Sequence, residues 1–114
     1  MQQEKQLIKV LPEFVNHLIT ALQASGRGEI ADQLSSVHMR HSSYDKDADA
    51  GYLRVTESRP LNIVEQNVIG CRHGECVTLD KLPGMVVIDL DNFGRVQGIE
   101  LLGHAEVFRR IGHI

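Results

Sequence analysis

An α+β fold, with helices leading and strands following, is what the hydrophobic patterning of this chain predicts. Apolar residues recur every three to four positions as far as Leu34, then every second position from Val37 onward. The two periods do not interleave, which marks segregated elements rather than alternating βα units. Size is the third observation: 114 residues with 42% hydrophobic content suit one core and one domain. That domain divides into a helical segment over 1–36 and a sheet over 37–114. The expected architecture is an N-terminal helical hairpin packed on one face of an antiparallel β-meander of five to six strands.

Each element has its own signal. Leu7, Leu11, Phe14, Leu18 and Leu22 form a helical stripe that Ile8, Val15 and Ile19 widen. Pro12 is tolerated only in a first turn, so the main helix is expected over about Leu11–Ala24, with the residues before it as an extension or kinked turn. Ser25-Gly26-Arg27-Gly28 ends it, and Glu29–Ser35 reads as a short second helix. Strands follow at Val37–His41, Gly51–Thr56, Leu61–Ile69, Val77–Leu79, Val86–Asp91 and Gln97–Leu102. Cys71–Cys76 reads as a hairpin loop turning at Gly74, and Asp91-Asn92-Phe93-Gly94 as the loop of the last hairpin. Gly98, inside the final strand, marks a bulge or a close backbone approach. His104–Ile111 is expected to add a last helical turn. The sheet face away from the helices would carry Tyr52, Arg54, Thr78, Val87 and Asp89, and would meet water or another copy of the chain.

Charge and composition exclude several function classes. Twelve Lys+Arg stand against fifteen Asp+Glu, a net charge of −3. Between Leu11 and Leu34 the only cation is Arg27, against Glu13, Glu29 and Asp32. Nucleic-acid binding needs a surplus of cations, so none is expected. Aromatics are 4% with no Trp, which leaves no base-stacking platform. No apolar run is long enough to cross a membrane, and Met1–Lys9 lacks the apolar block of a secretory signal, so a cytoplasmic location is expected. No cofactor signature is present.

Three motifs resemble a known family. Tyr44-Asp45-Lys46-Asp47-Ala48-Asp49-Ala50-Gly51-Tyr52-Leu53-Arg54-Val55 resembles the opening signature of domain-of-unknown-function family 2283. Gly84-Met85-Val86-Val87-Ile88-Asp89-Leu90-Asp91 resembles its second signature, and Asn92-Phe93-Gly94-Arg95-Val96-Gln97-Gly98-Ile99-Glu100-Leu101-Leu102 its closing hairpin. The likeness covers Tyr44–Leu102. Two departures stand out: Gly51 occupies a position usually held by a bulky aliphatic, and the middle, Glu57–Pro83, is longer than the minimal family domain. The resemblance implies no activity. Relatives often resemble small bacterial or phage-borne proteins, some encoded beside toxin-like proteins, which implies an antitoxin-like binding role by association alone.

Three constellations could carry chemistry. Asp45, Asp47 and Asp49 alternate as calcium ligands do, but the glycine and the closing glutamate each fall one position late. The plain reading is a polar turn whose aspartates cap N–H groups. Cys71, His73 and Cys76 could be free thiols, a disulfide, or three metal ligands joined by His104 or His113. Asp89, Asp91 and Glu100 could form a carboxylate cluster for acid–base work or a divalent ion. Alternatively Asp89 and Glu100 pair with Arg54, Arg95 or a partner's arginine, fixing register or an interface. The favoured reading is a non-enzymatic interaction module, homo-oligomeric or bound to a small protein partner. Its binding or interface residues would be drawn from Asp45, Asp49, Tyr52, Arg54, Asp89, Asp91, Arg95 and Glu100. The alternative is a small metal-binding protein or metal-dependent enzyme.

Overall fold

The first apolar stripe becomes helix where its end signals permit. In the computed structural model, which describes residues 5–56 and 58–114, Leu7–Val10 (α1) is a single turn and Pro12–Ala24 (α2) the long helix. Leu11 separates them with a non-helical backbone, leaving Pro12 in the first position of α2, where an N–H is not needed. The exit is a Schellman motif: Gly26, at φ +76°, donates to the Gln23 carbonyl and Arg27 N–H donates to the Leu22 carbonyl at 2.8 Å. Gly28–Leu34 (α3) then packs against α2. Leu18, Leu22, Ile30 and Leu34 are all fully buried. The helical hairpin is therefore present, with α1 as the separate turn that Pro12 demands.

Among the described residues, five strands form one antiparallel sheet: Met39–Asp45 (β1), Ala50–Val55 (β2), His73–Thr78 (β3), Met85–Asp91 (β4) and Val96–Leu102 (β5). Their order is β1-β2-β5-β4-β3, so the sheet is not the simple meander the sequence predicts. β2 pairs with the last strand, and the chain then travels from mid-sheet to the far edge. The reason lies in the core. Pairing β2 with β5 sets Leu53 opposite Ile99, which is opposite Ile88, and all three are completely buried. One core cluster joins these residues to the helices and to Val107 and Phe108 of Ala105–Arg110 (α4).

Two expectations fail in the crossover. Leu61–Ile69 is not a strand; residues 63–64 are helical and Glu65–Ile69 forms a π-helical turn. Asn62 Oδ1 accepts the Glu65 N–H at 2.9 Å while Glu65 Oε1 accepts the Asn62 N–H at 3.1 Å. This reciprocal capping box starts a helix, and the side-by-side pairs Ile63-Val64 and Val68-Ile69 suit a helical face rather than a pleat. Gly70, at φ +77°, donates to the Glu65 carbonyl and ends the turn. Nor is Cys71–Cys76 a hairpin loop, because β3 already begins at His73. Gly74 is needed for close approach rather than for turning: a Cβ there would lie 2.2 Å from the Asp91 carbonyl oxygen, beside a bulge between His73 and Glu75.

Candidate interaction face

Alternation along β2 fixes the two faces of the sheet. Leu53 and Val55 point to the helices and are buried, so Tyr52 and Arg54 point away. Register carries this across the sheet. Tyr52 lies opposite Glu100, which lies opposite Val87, which lies opposite Thr78. Arg54 lies opposite Gly98, which lies opposite Asp89, which lies opposite Cys76. The residues expected on the open face are there together.

A polar chain crosses this face. Tyr52 donates its hydroxyl to Asp89 Oδ2 at 3.0 Å, and Cys76 Sγ donates to Asp89 Oδ1 at 3.2 Å. His73 Nε2 lies 3.6 Å from the same sulfur. Burial, with the Asp89 hydrogen bond second, pushes the Tyr52 phenol up to about 12. The hydrogen bond to Asp89 also pushes the Cys76 thiol up. Both groups hold their protons at neutral pH, the reverse of what a nucleophile or general base requires.

The predicted metal and carboxylate sets do not assemble. Cys71 Sγ reaches Asp91 Oδ2 at 3.6 Å, Gln97 and Arg95, whereas Cys76 belongs to Asp89 and His73. Both thiols are free, and among the described residues no group of three His, Cys, Asp or Glu side chains is placed to hold one metal ion. Asp89 and Asp91 serve different ends. Asp91 is 2% exposed and binds Arg95 Nε at 2.7 Å and the N–H groups of Phe93 and Arg95 at 2.9 Å. Burial pushes the Asp91 carboxyl up, but these donors outweigh it and hold the group below the usual carboxylate range. Arg95 therefore pairs with Asp91, where the sequence pointed to Asp89 or Glu100. Glu100 and Arg54 stand exposed on the open face. At the end of β1 one aspartate caps the turn as expected. Asp45 accepts the N–H groups of Asp47 and Ala48, and Asp49, at φ +48°, accepts the Tyr44 hydroxyl at 2.7 Å.

The Asp91–Arg95 hairpin also anchors the crossover. Arg95 donates to the Arg59 carbonyl at 2.8 Å. Asn92 holds the backbone of Gly70 and Arg72. Beyond these anchors the crossover displays what sequence reasoning missed. Ile63 is 75% exposed, Val64 59%, Val68 78% and Ile69 46%, and no residue of the π-helical turn is buried. These four residues flank Glu65, whose carboxylate is held by Arg59 at 3.0 Å. The capping box Asn62-x-x-Glu65 was the available signal. Met85 and Leu102, register partners at the far end of the open face, are the other exposed apolar pair. A cleft of about 160 Å³ between α2 and α4, lined by Leu11, Phe14, His17 and Val107, is smaller than ordinary small-molecule sites. Among the described residues no helix is long and apolar enough to cross a membrane.

A family model described as "Protein of unknown function (DUF2283)" matches residues 41–103, more than half of the chain. No curated protein and no solved structure matches it.

Proposed function

The chain belongs to the DUF2283 family, and we propose that it acts as a non-enzymatic protein–protein interaction module. The observation that carries this reading is the aliphatic stripe Ile63, Val64, Val68 and Ile69. It is exposed on a turn with no buried residue, in a chain that otherwise closes its core. A short helical turn with no face in the core has little reason to persist in water. Clustered exposed aliphatics are the mark of a surface that meets a partner. The chemistry of the open face points the same way, since burial and then the Asp89 hydrogen bond raise the Tyr52 phenol, and the Asp89 hydrogen bond raises the Cys76 thiol, so neither group is activated.

Affinity capture from the native host, comparing the wild type with a Val68→Asp variant, tests this. The wild-type chain should self-associate or retain a specific protein, and the variant should lose that contact while melting at an unchanged temperature. If no association of either kind depends on Val68, the reading fails.

A further inference from the structure

Resting on that reading, we propose that the partner is a second copy of this chain. The two copies stack open face to open face about a two-fold axis, so that the Ile63–Ile69 stripe of each covers the Met85–Leu102 pair of the other.

Placement carries the argument. The stripe is anchored beside the Asn92–Arg95 end of the β4–β5 hairpin, through Arg59 and Gly70. Met85 and Leu102 lie at the opposite end of the same two strands. A two-fold axis across the strands reverses their direction and brings each end over the other. In a two-fold interface a contact from one residue to another is made twice, so both apolar features of each copy are covered at once. Apart from Ile114, these are all the strongly exposed large hydrophobic residues among those described.

Charge agrees with that arrangement. Arg54 and Glu100 stand exposed on neighbouring strands near mid-face, in successive cross-strand rows. Reversing one copy sets Glu100 of the second copy over Gly98, with Arg54 on one flank and, on the other, the Asp89 carboxylate that already accepts from Tyr52 and Cys76. Covering Asp89, Tyr52 and Cys76 orphans none of their hydrogen bonds, because they already bind one another. Area agrees as well. β2, β5 and β4 offer on the order of 300 Å² of sheet plane. Residues 63–69, which lie outside those strands, are needed to approach the roughly 800 Å² per partner of a stable interface.

The test is solution mass by light scattering on the full chain at tens of micromolar, with circular dichroism melts as a folding check. The wild type should be a dimer. Val68→Asp and Met85→Glu should each weaken it by about tenfold or more. Mixing the two variants should restore a heterodimer, because one intact stripe then meets one intact pair. Glu100→Arg should weaken the dimer and Arg54→Glu in the same chain should restore it. If Val68→Asp fails the folding check, Val68→Ser is read in its place. A monomeric wild type, or a dimer indifferent to Met85→Glu, overturns the proposal. A monomer whose hold on a different host protein is still lost in Val68→Asp overturns the second copy as partner while leaving the interaction reading in place.

Discussion

The phenol ring of Tyr52 lies directly over the Cα of Gly98, across the neighbouring strand β5. A Cβ built on Gly98 would come within 2.2 Å of the Tyr52 hydroxyl oxygen. The missing side chain is what lets Tyr52 cross β5 and reach Asp89 on β4. Gly98 is thus part of the open face, although it contributes no atom beyond its backbone.

Gly98→Ala should therefore lift the ring and break the Tyr52–Asp89 bond. The expected cost is about 1–3 kcal/mol, the usual range for forcing atoms into an occupied space. A thermal melt should show it as a clear drop. In a Tyr52→Ala background the space is empty, so the same glycine change should cost much less. Equal losses in both backgrounds would show that Gly98 serves backbone conformation instead.

Cys76 should be a slow thiol. Its hydrogen bond to Asp89 and the carboxylate's charge raise its pKa, so little thiolate exists at pH 8. In a Cys71→Ser background, Asp89→Asn should speed alkylation of Cys76 by iodoacetamide several-fold. The same carboxylate supports Tyr52. A phenol whose folded pKa is raised to about 12 contributes stability that is intact below its unfolded value near 10. That contribution is lost as pH climbs through the folded value. Denaturant titrations at rising alkaline pH should show this loss, and Tyr52→Phe should reduce its steepness.

The facing of β2, β4 and β5 was legible because period-two alternation survives wherever one face is buried. Leu53, Ile88 and Ile99 announce it, and Tyr52, Arg54 and Asp89 follow. Strand order was not legible. Alternation says which face a residue takes but not which strand is its neighbour, so β2 pairing with β5 has no local signal. The crossover was misread for a different reason. Ile63, Val64, Val68 and Ile69 have the composition of a strand, and composition outweighed the Asn62–Glu65 capping box. In the Cys71/His73/Cys76 grouping, β3 brings His73 to Cys76 but leaves Cys71 before the strand, against Asp91, Arg95 and Gln97.

Gly51 and Phe108 offer a compensation test. A Cβ on Gly51 would lie 2.2 Å from Phe108 Cζ, and the Phe108 ring also stacks on Tyr44 at 4.6 Å. Phe108 thus fills the volume that a bulky residue at position 51 would claim. Gly51→Val alone should displace α4 and destabilise the chain. Phe108→Ala alone should cost about 3–5 kcal/mol, since it leaves a cavity. The double variant should recover part of that loss in a denaturant titration. A double variant no better than Phe108→Ala alone would show that the Ser43 carbonyl oxygen, 2.6 Å from the same Cβ, excludes a side chain at position 51 even without the ring.

Asp91 should dominate the acid end of the stability profile. Its folded carboxyl lies below the usual value because Arg95 and two N–H groups outweigh the cost of burial. A depressed folded pKa contributes stability that is present above the unfolded value, near 3.9, and is lost as pH falls through the folded one. Urea titrations at pH 7 and at pH 3 should therefore differ, and Asp91→Asn should flatten the difference. Breaking the buried pair from one side leaves Arg95 without its carboxylate, which costs about 3–5 kcal/mol at neutral pH. Replacing both with apolar residues of similar size should cost less. Because Arg95 also holds the Arg59 carbonyl, the single variant should raise amide exchange across residues 58–72 before the core strands respond. If exchange in the crossover and in β4 rose together, the anchor would lie elsewhere, in Asn92 and its bonds to Gly70 and Arg72.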